Sequence, residues 1–221
     1  MPVPGGYRIS GKWEYASGAT HATAFTANCA VVSDGGRREV RPFLFRPEEV
    51  IVHPTWNTIG LVATGSHSFE VRDVVIPADR CFAIESGQAK DGDPVYRYPF
   101  LQLAEATLTA NLSGMGMHYL DCCGELFRQR DRLAATVKLE EALSILDDLR
   151  IQFFQALDES WATRAGYDAV SRASRALADG VRRVVDGLYP YGGLTAARPD
   201  TEINRVWRDL HTATQHSLLV N

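Results

Sequence analysis

Up to about residue 90 the apolar residues fall in short alternating runs divided by turn residues. Beyond residue 98 they recur every three or four positions over long stretches. The first pattern belongs to strands with one buried face, the second to amphipathic helices. Tyr7 and Ile9 alternate with polar neighbours until Gly11 breaks the run, and Trp13 and Tyr15 alternate again until Ser17-Gly18. The small apolar run 21–32 predicts a buried strand, and 41–45 and 50–53 predict two more. The run 69–77 begins with alternation and closes on proline. Ser33-Asp34-Gly35-Gly36 predicts a turn. Short strands so punctuated predict a small antiparallel barrel or sandwich over residues 1–90.

The stretch 86–98 is rich in Gly, Asp and Pro and predicts a domain boundary. After it, Leu101, Ala104, Leu108, Leu112, Met115, Tyr119, Cys122 and Leu126 form one helical stripe. Leu139, Leu143, Leu146, Leu149, Phe153, Leu157 and Trp161 form a second, and Ala173, Leu177, Val181, Val184 and Leu188 a third. Tyr189-Pro190-Tyr191-Gly192-Gly193 should stop the third helix, since proline and glycine disfavour its continuation. A fourth helix is expected over 202–221, with two unlike faces. Ile203, Trp207, Leu210, Thr214 and Leu218 make a mostly apolar stripe; Arg205, Arg208, Thr212 and His216 make a polar one. Long amphipathic helices joined by short loops predict an antiparallel four-helix bundle over 91–221. The fold class expected is therefore α+β, a small antiparallel β domain followed by a four-helix bundle.

Composition narrows the function. The chain has 221 residues, 45% apolar and 23% charged, with a net charge of −4. No block of five or six basic residues occurs, so nucleic acid and anionic membranes are poor partners. No run of eighteen apolar residues predicts a transmembrane helix, and the opening MPVPGGYRISG lacks a signal-peptide pattern. Cys29, Cys81, Cys122 and Cys123 form no CxxC pair, so reduced thiols in a cytoplasmic protein are expected, with no metal site.

Candidate chemistry is sparse. Ser17-Gly18 ends a strand with a hydroxyl and a residue that lets a flat ligand approach closely. Residues 60–67 form a second glycine-punctuated loop, without the Lys a phosphate loop needs. His21 and His67 read as structural or surface residues, and His118 as a partly buried helix residue. Gly192-Gly193 precedes the last helix and could offer backbone N–H groups to a phosphate. A triad of Ser17, His216 and Asp209 fails: Asp209 and His216 are separated by about 10 Å of helix rise.

Taken in order, GGYRISGKWEYASG, GLVATGSHSFEVRDVVIPADR, a bundle and INRVWRDLHTATQH resemble the acyl-CoA dehydrogenase superfamily. They resemble more closely its monooxygenase branch, which includes the oxygenase components of p-hydroxyphenylacetate hydroxylase and dibenzothiophene monooxygenase. The resemblance implies a middle β domain and a C-terminal bundle, assembled as a homo-oligomer, with FMN or FAD lying between them. It implies reduced flavin from a separate reductase, used with O2 on an aromatic or polyketide-like small molecule. Ser17 falls where the family places a hydroxyl near flavin N5. His216 falls where the oxygenases place a histidine near flavin and substrate, a base or hydrogen-bonding group suited to neutral pH. Gly18 lies on the flavin edge beside Ser17, Gly192 and Gly193 match the glycine turn near the flavin phosphates, and Arg205 and Arg208 match positioning groups on the last helix.

The same resemblance predicts departures. The matched segments begin inside the β domain, without the N-terminal helical domain and the acidic, Gly-Ser-rich flavin segment of the family, so flavin binding is expected to be weak or absent. Val62 stands where an arginine is usual, and no glutamate matches the catalytic glutamate of the dehydrogenases. Oxygenation is thus expected over acyl-CoA dehydrogenation. The alternative is a non-redox relative acting as a companion subunit or in a flavin-independent reaction.

Overall fold

A computed structural model of the chain describes residues 1–32, 36–129 and 133–219. These form two compact units, one of Met1–Thr58 and Val62–Gln88, the other of Ile59–Leu61 and Ala89–Asn221.

The first unit is antiparallel β. Strands β1 (Pro2–Val3), β2 (Gly6–Ala16), β6 (His67–Pro77) and β5 (Ile51–His53) hydrogen-bond in the order β1-β2-β6-β5, and β3 (Phe25–Val32) pairs with β4 (Arg38–Phe45) in a second sheet. Strict alternation of buried and exposed residues along β3 puts Phe25, Ala27, Cys29 and Val31 on the core side. They share one core with Ile9, Phe43, Phe45, Phe69, Val71 and Ile76, as in a sandwich. Trp13 stacks on Phe69 at 5.2 Å between ring centroids, which makes a ring cluster with Phe25 and Phe45 the centre of the unit. Gly11 does not break β2. The register to β6 shifts between Ile9 and Gly11, and Ser10 Oγ accepts from the Asp73 amide there. Gly11 itself leaves the space that the Trp13 ring fills, since a Cβ would come within 2.6 Å of that ring. Of the predicted turn 33–36, residues 33–35 lie outside the described residues.

The second unit is helical: a short α1 (Pro94–Arg97), then α2 (Phe100–Gln129), α3 (Leu133–Thr163), α4 (Tyr167–Ala197) and α5 (Glu202–Ala213). Asp93 caps α1, its carboxylate accepting from the Val95 amide, with Pro94 at the first helical position. α4 packs along both α2 and α3, and α5 packs on α2 and α4. Leu112, Tyr119, Leu146, Phe153, Leu177, Val181, Leu188 and Leu210 are fully buried in a common core.

One expectation is met and one is corrected here. The long helix of α4 ends within 189–193 as the sequence predicts, at Gly193, where φ is 57° and ψ −149°, a conformation that only glycine tolerates well; Pro190 lies inside the helix, and a short helical piece follows to Ala197. The last helix does not reach residue 221; it ends at Ala213, and Thr214 caps it by donating from its amide to Leu210 O.

Candidate functional site

In the β unit, two loops converge on Ser17. The first follows β2. Tyr15 takes φ 62° and Gly18 takes φ 77°, turning the chain tightly enough for the Ser17 amide to donate to Tyr15 O at 3.1 Å. A bulky residue at positive φ carries a cost on the order of 1–3 kcal/mol, and such outliers cluster at functional sites. The second loop is the single helical turn Val62–Thr64, then Gly65 at φ 51° and Ser66, leading into β6. The Gly18 amide donates to Thr64 O at 2.7 Å and joins the loops. Three hydroxyls then stand in a row: Ser17 Oγ is 2.9 Å from Ser66 Oγ, which is 2.8 Å from Thr64 Oγ1. Ser66 is buried and Ser17 is exposed.

Around the row, Trp56 donates its amide to His67 Nδ1 at 3.0 Å, so a neutral His67 carries its proton on Nε2. His21 closes the Gly18 turn with its amide, and a Cβ at Gly18 would lie 3.2 Å from the His21 ring. Sequence reasoning singled out Ser17 and Gly18 but passed over Ser66 and Thr64. The signal available was the pairing of hydroxyls with glycine in Thr64-Gly65-Ser66; hydroxyls have no periodicity to mark them.

The remaining predicted residues lie in the helical unit. Gly192 is buried within α4, where a Cβ would come 2.6 Å from that of Ala196, and Gly193 is the break. Glycine here serves close packing and a sharp bend; the pair does not directly precede the last helix as expected, because the end of α4 and residues 198–201 come between. Arg205 bridges Glu202 at 2.9 Å and Asp209 at 3.3 Å along α5. Arg208 donates to Ile59 O at 3.1 Å and Pro199 O at 3.3 Å. Asp209 accepts from the Leu61 amide at 2.6 Å, and Gly60 lies so close to the Arg208 carbonyl that a Cβ would sit 2.1 Å from it. The polar face of α5 therefore clasps the segment Ile59–Leu61.

His216 lies beyond α5, exposed, in a turn where its Nδ1 accepts from the Leu218 amide at 3.3 Å. His118 is exposed rather than partly buried, because its Nε2 reaches Glu202 at 3.0 Å. That contact first, and Arg205 second, hold the Glu202 carboxyl below its usual range. His211, which the sequence pattern did not single out, bridges Trp207 O and Asp186, each at 2.8 Å. Burial pushes the Cys123 thiol up to about 12 and the Tyr119 hydroxyl up as well, so neither is a nucleophile at neutral pH.

Residues 101–221, more than half of the chain, match the family described as acyl-CoA dehydrogenase, C-terminal domain. The chain belongs to that family. This acyl-CoA dehydrogenase relative is 28% identical over 246 residues to the flavin-dependent monooxygenase, oxygenase subunit HsaA, of Rhodococcus jostii, across 97% of the chain and 63% of the relative. It is 30% identical to a pigment production hydroxylase of Rhodococcus sp., across 98% of the chain and 62% of the relative. Among solved structures, 3-HSA hydroxylase from Rhodococcus sp. matches with a TM-score of 0.91 at 27% identity, over 99% of this chain and 62% of that one. The chain thus spans about three-fifths of the length of the curated relatives it matches.

Proposed function

We propose that the chain belongs to the oxygenase component of a two-component flavin-dependent monooxygenase, acting on an aromatic or polyketide-like small molecule. A separate reductase would supply reduced FMN or FAD. The observation that carries this reading is the Ser17 turn: an exposed hydroxyl beside a glycine, on a backbone held at positive φ at Tyr15 and Gly18. The names of the relatives supply the reaction class.

The residues of the turn fit the edge of a flavin ring. Ser17 Oγ meets Ser66 alone among the described residues, so it keeps capacity for one further hydrogen bond outward. Gly18 takes the left-handed φ of 77° that the turn presenting Ser17 requires, with the His21 ring beside it. A bound reduced flavin would supply the two electrons that activate O2. Ser17 would hold the ring by a hydrogen bond at its nitrogen edge, and Gly18 would keep the tight turn that presents Ser17. With Nδ1 of His216 accepting from the chain, Nε2 is the ring atom that would take or give a proton to oxygen or to a phenolic substrate. A cytoplasmic location and a homo-oligomeric state complete the proposal; the four cysteines are free.

Arg205 and Arg208 favour a second reading. Their guanidinium groups are engaged with Glu202, Asp209 and backbone carbonyls, so they offer little to a flavin phosphate. A non-redox companion subunit fits that arrangement. Anaerobic titration with reduced FMN and reduced FAD separates the two. The oxygenase reading expects saturable binding, weakened about three- to tenfold by Ser17→Ala, the size of one ordinary hydrogen bond. It also expects His216→Ala to lower turnover about 10²-fold with the fold intact. No binding of either flavin would transfer the proposal to the companion subunit.

A further inference from the structure

The hydroxyl row in the β unit does more than close two loops. The backbone bond from the Gly18 amide to Thr64 O already joins them. Ser66 adds a second link between the loops through Ser17, and it is buried between two hydroxyls at 2.9 and 2.8 Å. We infer that Ser66 is a positioning residue that sets which way the Ser17 hydroxyl points its hydrogen.

The argument is one of counting hydrogens. A serine hydroxyl carries one hydrogen and two lone pairs. Ser66 sits between two oxygens and can give its hydrogen to only one of them. When Ser66 donates to Ser17, the Ser17 hydrogen is free to be offered outward, and Ser17 is a donor to a ligand. When Ser66 donates to Thr64, Ser17 donates inward to Ser66, and its outward side is acceptor only. The row thus has two hydrogen orders, and a ligand that accepts at Ser17 selects the first. Burial keeps bulk water from substituting for Ser66, so Ser66 is the inner partner through which either order is held. The backbone on either side is held by the positive φ of Gly18 and Gly65, which fixes the two oxygens against each other.

This inference rests on the flavin reading of Ser17, and it extends that reading to a second residue. A double-mutant cycle tests it: wild type, Ser17→Ala, Ser66→Ala and the double variant, each titrated anaerobically with reduced FMN and reduced FAD. Far-ultraviolet circular dichroism and thermal midpoints check that each variant folds. The expected result is that Ser66→Ala weakens flavin binding about three- to tenfold in the wild-type background and has no effect once Ser17 is alanine. The absorption spectrum of the bound oxidised flavin should shift alike in the two single variants. Equal weakening by Ser66→Ala in both backgrounds, or none in either, would overturn the positioning role while leaving the flavin reading intact. Failure of the wild type to bind either flavin would overturn both.

Discussion

Glu105 is the residue that the hydrophobic pattern hides best. It lies on the buried side of α2, where its carboxylate accepts from the Ser171 hydroxyl and from Arg175 at 2.9 Å, both on α4. Gln102 extends the network by donating to Ser171 at 3.1 Å. A buried carboxylate persists only when its oxygens are satisfied, and removing one partner strands the others. Glu105→Ala should therefore destabilise the helical unit by about 3 kcal/mol, at the low end of the buried-pair range because Arg175 keeps some access to water. Urea unfolding followed at 222 nm checks this, and a loss under about 1 kcal/mol would reduce the network to a surface pair. The stripe Leu101, Ala104, Leu108 was legible as helix but not as the buried face near the helix start: Leu101 is exposed, while Glu105, Ala106 and Thr109 are buried. Counting apolar residues cannot find a face whose inward positions are polar and internally paired. The same limit applies to Ser66, whose role depends on two oxygens brought from elsewhere in the fold.

Among the elements, α5 shows where periodicity succeeds and where it misleads. Ile203, Leu210 and Thr214 are buried as the spacing of three and four requires, and Arg205 and Arg208 share the other side. The polar side meets a loop of the protein itself, Ile59–Leu61, which no local pattern could reveal because those residues are more than 140 positions away. Gly60→Ala should force that loop off the helix, since a Cβ would sit 2.1 Å from the Arg208 carbonyl carried by a rigid helix. Overpacking against backbone costs about 1–3 kcal/mol, and hydrogen exchange at the Leu61 amide should rise while α2 to α4 stay protected. Unchanged exchange there would mean the clasp is dispensable. In the β unit, the pairing of β5 with β6 carries a pH dependence of known sign. Arg72 first, and His53 second, hold the Glu70 carboxyl down at about 2, and Arg80 holds Glu49 below its usual range. An unfolded Glu titrates near about 4.3, so both contribute stability above that pH and lose it as pH falls toward the folded values. Unfolding monitored by tryptophan fluorescence of a variant that keeps Trp13 and carries phenylalanine in place of Trp56, Trp161 and Trp207 should show stability dropping between about pH 4.3 and 2, and Glu70→Gln should flatten part of that slope.

For the whole molecule, fold class and family were legible because they rest on ordered segments rather than single residues: an alternating half, a three-and-four half, and the motifs GGYRISGKWEYASG and INRVWRDLHTATQH. Association between copies of the chain is an expectation, and the helical unit offers a surface on which to test it. On α3, Ile151 and Phe154 stand three residues apart on one flank with 54 and 40% of their surfaces exposed, while Val137 and Ile145, 46 and 48% exposed, lie elsewhere on the helix. The Arg150 guanidinium lies 5.6 Å above the Phe154 ring, holding that ring in place at the surface. Exposed Asp147 and Asp158 line the same surface as Ile151 and Phe154, an arrangement of apolar centre and polar rim that marks protein interfaces. A second copy of the chain, packing this flank of α3 against its own counterpart, would bury Ile151 and Phe154 and keep the acidic rim in water. Light scattering should therefore give a mass at least twice the 24.4 kDa of one chain. Replacing Ile151 and Phe154 together by glutamate, which keeps helix propensity high while charging the face, should shift the protein to monomer without lowering its helical content. A wild-type chain that scatters as a single monomer would remove the α3 face as the contact. Dissociation by the double variant with an intact circular dichroism spectrum would tie the assembly to these two side chains.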